Sequence, residues 1–293
     1  SGFVISLNYV GRIKETYHLF NFLKKRFLRL YPLLLFTSGI FLAIEIISTV
    51  YFPHYQGQVD SVQFLGIKFL DTLFLTNSVC LIGCDTGINY PSWSISAEFI
   101  SYLVFGLLLL KDVVYKVRSL LLLFCILFFI YSGNYAYDGD YGFVRGLYGF
   151  MLGNMAYTNR DYLNRILYKR ESKIIIISLF IITYFIISES NDTVKLFCSI
   201  FFTMISSLLV IVVINSKTLR NLFEMGPLLF LGDLSYSIYL NHLLIIVIFK
   251  KIPLFFDFVF INKSLYLILF IVVLLGYSWI TRKYIEGMFY LRK

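Results

Sequence analysis

Pro91-Ser-Trp-Ser-Ile-Ser-Ala-Glu98-Phe-Ile-Ser-Tyr102, running on through Leu103-Val-Phe-Gly-Leu-Leu-Leu-Leu110, decides the fold class. A carboxylate stands at the mouth of an apolar run, in a stretch that no proline or charge interrupts after Glu98. On a helix Ser94, Glu98 and Ser101 fall at i, i+4 and i+7, while Ile95, Phe99, Val104 and Leu107 supply the apolar remainder. An ionisable group within a membrane helix is expensive and faces a bundle interior or a wet cavity, so Glu98 is a candidate site residue. The alternative is a structural carboxylate paired to an arginine.

The whole chain repeats this pattern. Of its 293 residues 59% are apolar, 19% aromatic and only 15% charged, with a mean hydropathy of +0.79. Such a composition describes a polytopic membrane protein rather than a soluble domain. Trp93–Leu110 is joined by Tyr31–Tyr51, Ser119–Tyr131, Tyr141–Tyr157, Lys173–Ser188, Lys195–Ile214, Leu228–Phe249 and Leu265–Ile280. These make an all-α transmembrane bundle of eight complete spans, preceded by Ser1–Leu7 as the tail of a truncated one. Pro32 is expected in the first turn of its span, where it is tolerated.

The net charge of +9 does not indicate nucleic acid, because the basic residues cluster in short connections between apolar runs. There they set topology and meet anionic headgroups. Arg12–Arg29 reads as a cytoplasmic basic loop, and alternating the connections leaves the C-terminus cytoplasmic too. Phe52–Tyr90 reads as an outer connection whose amphipathic piece, Phe64–Thr76, is too short to span. The outer loop around Lys250, Lys251 and Lys263 is basic against this rule. Four cysteines form no CxxC or zinc-like spacing, so no metal is expected; Cys80 and Cys84 could close a local disulfide in an oxidising compartment.

Further polar groups fall inside the spans. Glu45 shares a face with Ser38 and Thr49. Arg145, Gly149 and Gly153 line another face at i, i+4 and i+8, the glycines permitting close helix approach beside the charge. Arg145 could serve a site or merely neutralise Glu98 or Glu45. Ser235, Tyr239 and His242 lie at i, i+4 and i+7 with Tyr236 one step around; His242 is eligible as a base, against the alternative of a satisfied core histidine. In Lys24-Lys25-Arg26-Phe-Leu-Arg29 the two arginines share a face at the inner membrane surface, and guanidinium forks suit phosphates. Positive-inside flanking would explain their charge but not their spacing.

Taken in order, Ser1-Gly2-Phe3, Arg26-Phe-Leu-Arg29-Leu-Tyr-Pro32, Trp93-Ser-Ile-Ser-Ala-Glu98, Arg145 with Gly149 and Gly153, and Ser235-Tyr236-Ser-Ile-Tyr239-Leu-Asn-His242 resemble acyltransferase family 3 over essentially the whole chain. The resemblance implies a ten-helix bundle that moves an acyl group, commonly acetyl, from cytoplasmic acyl-CoA to a hydroxyl of a lipid-linked or surface polysaccharide. It makes residues 1–293 one integral-membrane acyltransferase domain of a bacterial inner (plasma) membrane, lacking the first helix and most of the second. The family's essential histidine lies on that first helix, and His18, His54 and His242 do not match it, so the chain as given is expected to be inactive.

By the same resemblance Arg26 and Arg29 would hold CoA phosphates. Glu98, Arg145, Tyr236, Tyr239 and His242 would support the chemistry, with Glu98 on the outer, acceptor side. Glu286-Gly287-Met288 departs from the Glu-x-Pro common in relatives, which leaves Glu286 without an assigned role. Tyr135, Tyr137 and Tyr141 are available to a glycan or to interfacial anchoring. The rival classes are a flippase of lipid-linked glycan, whose paired inverted repeats are not found in the sequence, and a membrane scaffold.

Overall fold

A computed structural model describes residues 1–51, 62–79, 81–82, 86–135, 139–167, 169–189, 191–256 and 263–290. Cys80, Cys84, Tyr137 and His54 lie outside the described residues. In order, the helices are α1 (Gly2–Tyr9), α2 (Thr16–Tyr51), α3 (Val62–Leu73), α4 (Ser92–Leu110), α5 (Val114–Ser132), α6 (Gly142–Thr158) and α7 (Arg160–Ile166). They continue with α8 (Arg170–Glu189), α9 (Asp192–Asn215), α10 (Lys217–Phe223), α11 (Gly226–Phe256), α12 (Lys263–Thr281), a π-helical turn (Arg282–Glu286) and α13 (Gly287–Tyr290). No strand occurs among the described residues.

Seven of these helices are long and apolar enough to cross a membrane: α2, α4, α5, α8, α9, α11 and α12 with its π-helical extension. The expected count of eight is not reached on these criteria. The helix that drops out is α6, whose 17 residues carry Arg145 and reach only about 26 Å against a hydrocarbon core of about 30 Å.

Contacts divide the chain into two compact units. The first comprises Ser1–Leu23, Ile100–Tyr137 and Gly142–Leu229; the second comprises Lys24–Phe99, Asp138–Tyr141 and Phe230–Lys293.

Within the first unit α6 is the central helix, burying Val144, Leu147, Tyr148, Phe150, Met151 and Leu152 against α1, α5 and α9. The approach of α1 is very close. A Cβ on Gly2 would lie 2.0 Å from the Phe150 carbonyl oxygen, and one on Gly153 would lie 2.7 Å from the Phe3 nitrogen. Gly153 therefore does what its spacing predicts. Gly149 instead faces α9, with Thr203 Cγ2 at an ordinary 3.6 Å. The fully buried Phe105 ring packs on Phe150 with centroids 5.1 Å apart. Phe180 stacks on Phe202 at 4.6 Å and ties α8, the least buried of the seven membrane-length helices, to α9.

The beginning of α2 also belongs to this unit and corrects the expected Arg12–Arg29 loop. From Thr16 the chain is helical, because Leu19 and Phe22 are buried, with Phe22 edge-on to Tyr102 at 5.8 Å. Pro32 consequently lies in the middle of a 36-residue helix and not in a first turn. The missing N–H and the ring clash at the Leu28 carbonyl, a cost of about 3 kcal/mol or more, are offset by side-chain burial along both halves.

In the second unit Phe41, Leu65, Ile88 and Leu244 form a core between α2, α3 and α11. The described part of the connection expected as an outer loop carries buried polar side chains. Asp71, Asn77, Ser78 and Asn89 are all inaccessible. Asn77 Nδ2 donates to the Thr86 carbonyl at 2.9 Å and to Ser92 Oγ at 2.6 Å, Ser78 and Ser96 hydroxyls pair at 2.8 Å, and the Ile88 N–H reaches Thr72 Oγ1 at 3.1 Å. Non-helical backbone needs such partners when water is excluded. The piece read as too short to span is α3, 12 residues long.

Candidate active site

Six of the seven residues singled out in the sequence lie in the second unit, and several converge on one segment of α2. Residues 26–31 of that helix are approached from three directions. From α4, the Phe99 ring meets Phe27 edge-on at 5.9 Å, while Phe27 stacks on Tyr31 at 4.2 Å. From α11, the Tyr236 hydroxyl donates to the Leu30 carbonyl at 2.5 Å, two residues before Pro32. From the end of α3, the Leu73 carbonyl accepts from the Tyr31 hydroxyl at 2.9 Å. Phe27, Leu30, Tyr31, Leu75, Ile95 and Phe99 line a shallow apolar crevice between them.

This packing overturns one expectation. Glu98 was assigned to the outer end of the bundle, opposite Arg26 and Arg29, yet Glu98 and Arg26 each adjoin a ring of the Phe27–Phe99 contact. The physical reason is the extra helical length of α2: its basic residues run alongside α4 rather than beyond its end. Arg26 and Glu98 are half-buried and Arg29 is exposed.

Tyr239 is fixed at the start of α4, exchanging a 2.7 Å hydrogen bond with Ser94 Oγ and donating to the Pro91 carbonyl at 3.2 Å. Ser94 was grouped with Glu98 by helical spacing, and here it links that face to α11. Close by in the sequence, Asn89 Nδ2 reaches Thr37 Oγ1 at 3.4 Å and the Leu240 carbonyl at 3.3 Å. His242 is half-buried, with Nδ1 2.6 Å from the Tyr239 carbonyl of its own helix. A carbonyl only accepts, so Nδ1 carries a proton there, and in the neutral tautomer Nε2 is the free acceptor.

Glu286 is the residue that sequence reasoning left out. It is 7% exposed, accepts a hydrogen bond from the Ser237 hydroxyl, and lies 3.7 Å from Arg282 Nε, with Arg29 within electrostatic reach. Arg282 in turn pairs with Asp233 at 2.8 Å. The cluster is built from two i, i+4 pairs, Asp233 with Ser237 on α11 and Arg282 with Glu286 on the π-helical turn. That spacing was visible in the sequence, and π-helical turns often accompany functional sites. The helix continues into α13 through Gly287.

Glu45 has a different partner from the one considered. Lys251 Nζ lies 3.0 and 3.1 Å from its two carboxylate oxygens and 2.8 Å from Ser48 Oγ. Lys250 and Lys251 lie within α11, which removes most of the basic outer loop that offended the topology rule.

In the first unit Arg145 is half-buried beside a ring cluster. Phe129 lies 4.8 Å from Tyr135 and 5.7 Å from Tyr148, and the Tyr135 hydroxyl hydrogen-bonds Thr203. Burial raises the Tyr135 hydroxyl above the usual phenol range, against the lowering influence of Thr203 and of Arg145, so it remains protonated at neutral pH. Tyr135 is therefore a packed residue rather than an interfacial anchor. No group of His, Cys, Asp and Glu suited to a metal ion occurs among the described residues.

No curated protein and no solved structure matches the chain. The acyltransferase 3 family model, described as an acyltransferase domain, does match, over residues 1–283. With that coverage joined to seven membrane-length helices, the chain belongs to acyltransferase family 3 and is a membrane acyltransferase.

Proposed function

We propose that the protein transfers an acyl group, most simply acetyl, from acyl-CoA at the cytoplasmic face to a hydroxyl of a lipid-linked or cell-surface polysaccharide in a bacterial plasma membrane. The observation that supports this most is the convergence of α4 and α11 on Arg26–Tyr31 of α2. It sets two guanidinium groups, a half-buried carboxylate and an apolar crevice on one short segment. Arg26 and Arg29 hold CoA phosphates by charge-assisted hydrogen bonds, and the acyl chain lies against Phe27, Tyr31 and Phe99.

In the transfer the acceptor hydroxyl oxygen bonds to the thioester carbonyl carbon, the carbon–sulfur bond breaks, and the hydroxyl proton ends on the departing thiolate. Glu98 balances charge beside the arginines. Tyr236 and Tyr239 hold α11 against α2 and α4. His242 offers Nε2 as a supporting proton acceptor, and Arg145 keeps a supporting electrostatic role. Glu286, which lies beyond the residues matched by the family model, restrains Arg29 and Arg282.

The test is acetyl-CoA-dependent acetylation of lipid-linked glycan by membranes carrying the full-length protein. Arg26→Ala, Arg29→Ala and Glu98→Gln should each lower the rate tenfold or more while leaving expression intact. Wild-type rates in all three would refute the site. Direct CoA binding separates this reading from a flippase or a scaffold, neither of which needs CoA.

A further inference from the structure

We infer that Arg118 forms a phosphate-binding point in the first unit, apart from the Arg26/Arg29 pair. Arg118 lies in the second turn of α5, and its Nη1 donates to Asn154 Oδ1 at 3.1 Å and to Thr158 Oγ1 at 2.7 Å, both near the end of α6. Asn154 is fully buried and is itself held, since its Nδ2 donates to Ser6 Oγ at 2.9 Å and Ser6 donates to the Gly2 carbonyl at 2.7 Å. The guanidinium is thus clamped by a relay of neutral groups running from α1 through α6.

Its charge is what that relay does not answer. The other half-buried cations with ion pairs described above, Lys251 and Arg282, face carboxylates at 3.0 Å and 2.8 Å. Arg118 is partly buried, and among the described residues no carboxylate lies within ion-pair distance of it; its remaining neighbour is the Tyr115 ring, 5.8 Å from Cζ. Among the described residues Nη2 makes no hydrogen bond, and Nε is buried without a partner. Asp161, the acid close in sequence to Thr158, is engaged by Arg160 at 3.8 Å. Holding a partly desolvated cation with neutral groups alone is less favourable than holding it with a counter-charge. With both Nη1 protons engaged by Asn154 and Thr158, the guanidinium keeps Nη2 to donate to a phosphate oxygen in a charge-assisted hydrogen bond. The basic residues Lys116 and Arg160, on the flanking turns of α5 and α7, add to the local positive field.

The phosphate has two chemical sources, an anionic lipid headgroup or a nucleotide phosphate such as those of CoA, and separate arms tell them apart. The full chain, purified in detergent, is titrated with phosphatidylglycerol against phosphatidylcholine by native mass spectrometry, and with CoA by calorimetry. Arg118→Gln should weaken one of the two, phosphatidylglycerol or CoA, at least tenfold, with Arg118→Lys retaining part of the binding. Asn154→Asp is the decisive variant, because it puts a carboxylate 3.1 Å from the guanidinium without changing side-chain shape. It gives up the hydrogen bond to Ser6, so the melting temperature is not the readout; it should suppress the same phosphate ligand tenfold. Equal binding of both ligands by wild type and by Asn154→Asp overturns the inference and leaves Arg118 as a helix tie. Binding, not acyl transfer, is the readout, so failure of the proposed function would leave this result standing.

Discussion

Replacing each of the two glycines that share a face of α6 with alanine should have opposite outcomes. In a helix interior, Gly→Ala alone is worth about 0.5–1 kcal/mol in favour of alanine. At Gly149 the new methyl meets only Thr203 Cγ2 at 3.6 Å, so that gain should be kept. At Gly153 it would fall 2.7 Å from the Phe3 nitrogen, 3.1 Å from Gly2 Cα and 3.2 Å from the Gly2 carbonyl carbon. All three are backbone atoms, which cannot rotate out of the way, so α1 must withdraw. Overpacking of this kind costs about 1–3 kcal/mol, and losing the Asn154–Ser6 hydrogen bond adds about 1 kcal/mol. After the propensity gain, Gly153→Ala should lose about 1–3.5 kcal/mol, while Gly149→Ala is neutral or slightly stabilising. The propensity gain is common to both, so the variants differ by about 2–4 kcal/mol and, at about 2–4 °C per kcal/mol for a chain of this order of size, should melt roughly 4–16 °C apart. Thermal unfolding in detergent, followed by intrinsic fluorescence, measures the gap. A Gly153→Ala protein melting at or above wild type, or a Gly149→Ala protein falling as far, would refute the close-packing argument.

Other expectations follow from the same structure. Lys251→Met should destabilise by about 2–4 kcal/mol by stranding Glu45, and adding Glu45→Gln should restore most of the loss in a double-mutant cycle. Phe105→Ala, which empties a fully buried ring site against Phe150, should cost about 3–5 kcal/mol in the same melts. Glu286→Gln keeps a hydrogen-bonding group beside Ser237 but releases Arg29 and Arg282; acetylation should fall while the melting temperature changes by only a few degrees, and an unchanged rate would remove Glu286 from the site. Ser237→Ala should lower activity in the same direction and by less.

The fold class was legible because long apolar runs have one stable solution in lipid, and every predicted span does lie on a helix. Boundaries were less legible. Arg12–Arg29 reads as a loop by charge, but on α4 Phe22 meets the Tyr102 ring and a Leu19 methyl packs over Gly106, contacts that no local pattern reveals. The candidate site was legible as a set of residue types. Arg26, Arg29, Glu98, Tyr236 and Tyr239 all recur in the second unit, whereas Glu286 was set aside because a flanking proline was absent.

What the amino-acid order alone determines is therefore a membrane-spanning helical acyltransferase with charges inside its spans, since hydropathy and short motifs are local properties. Only the tertiary structure decides which charge answers which: Lys251 and not Arg145 for Glu45, Ser237 and Arg282 for Glu286, neutral side chains for Arg118. Those choices depend on which helix faces meet. In a low-dielectric bundle a displacement of one turn, about 5.4 Å along the axis, is enough to exchange an ion pair for an unanswered charge.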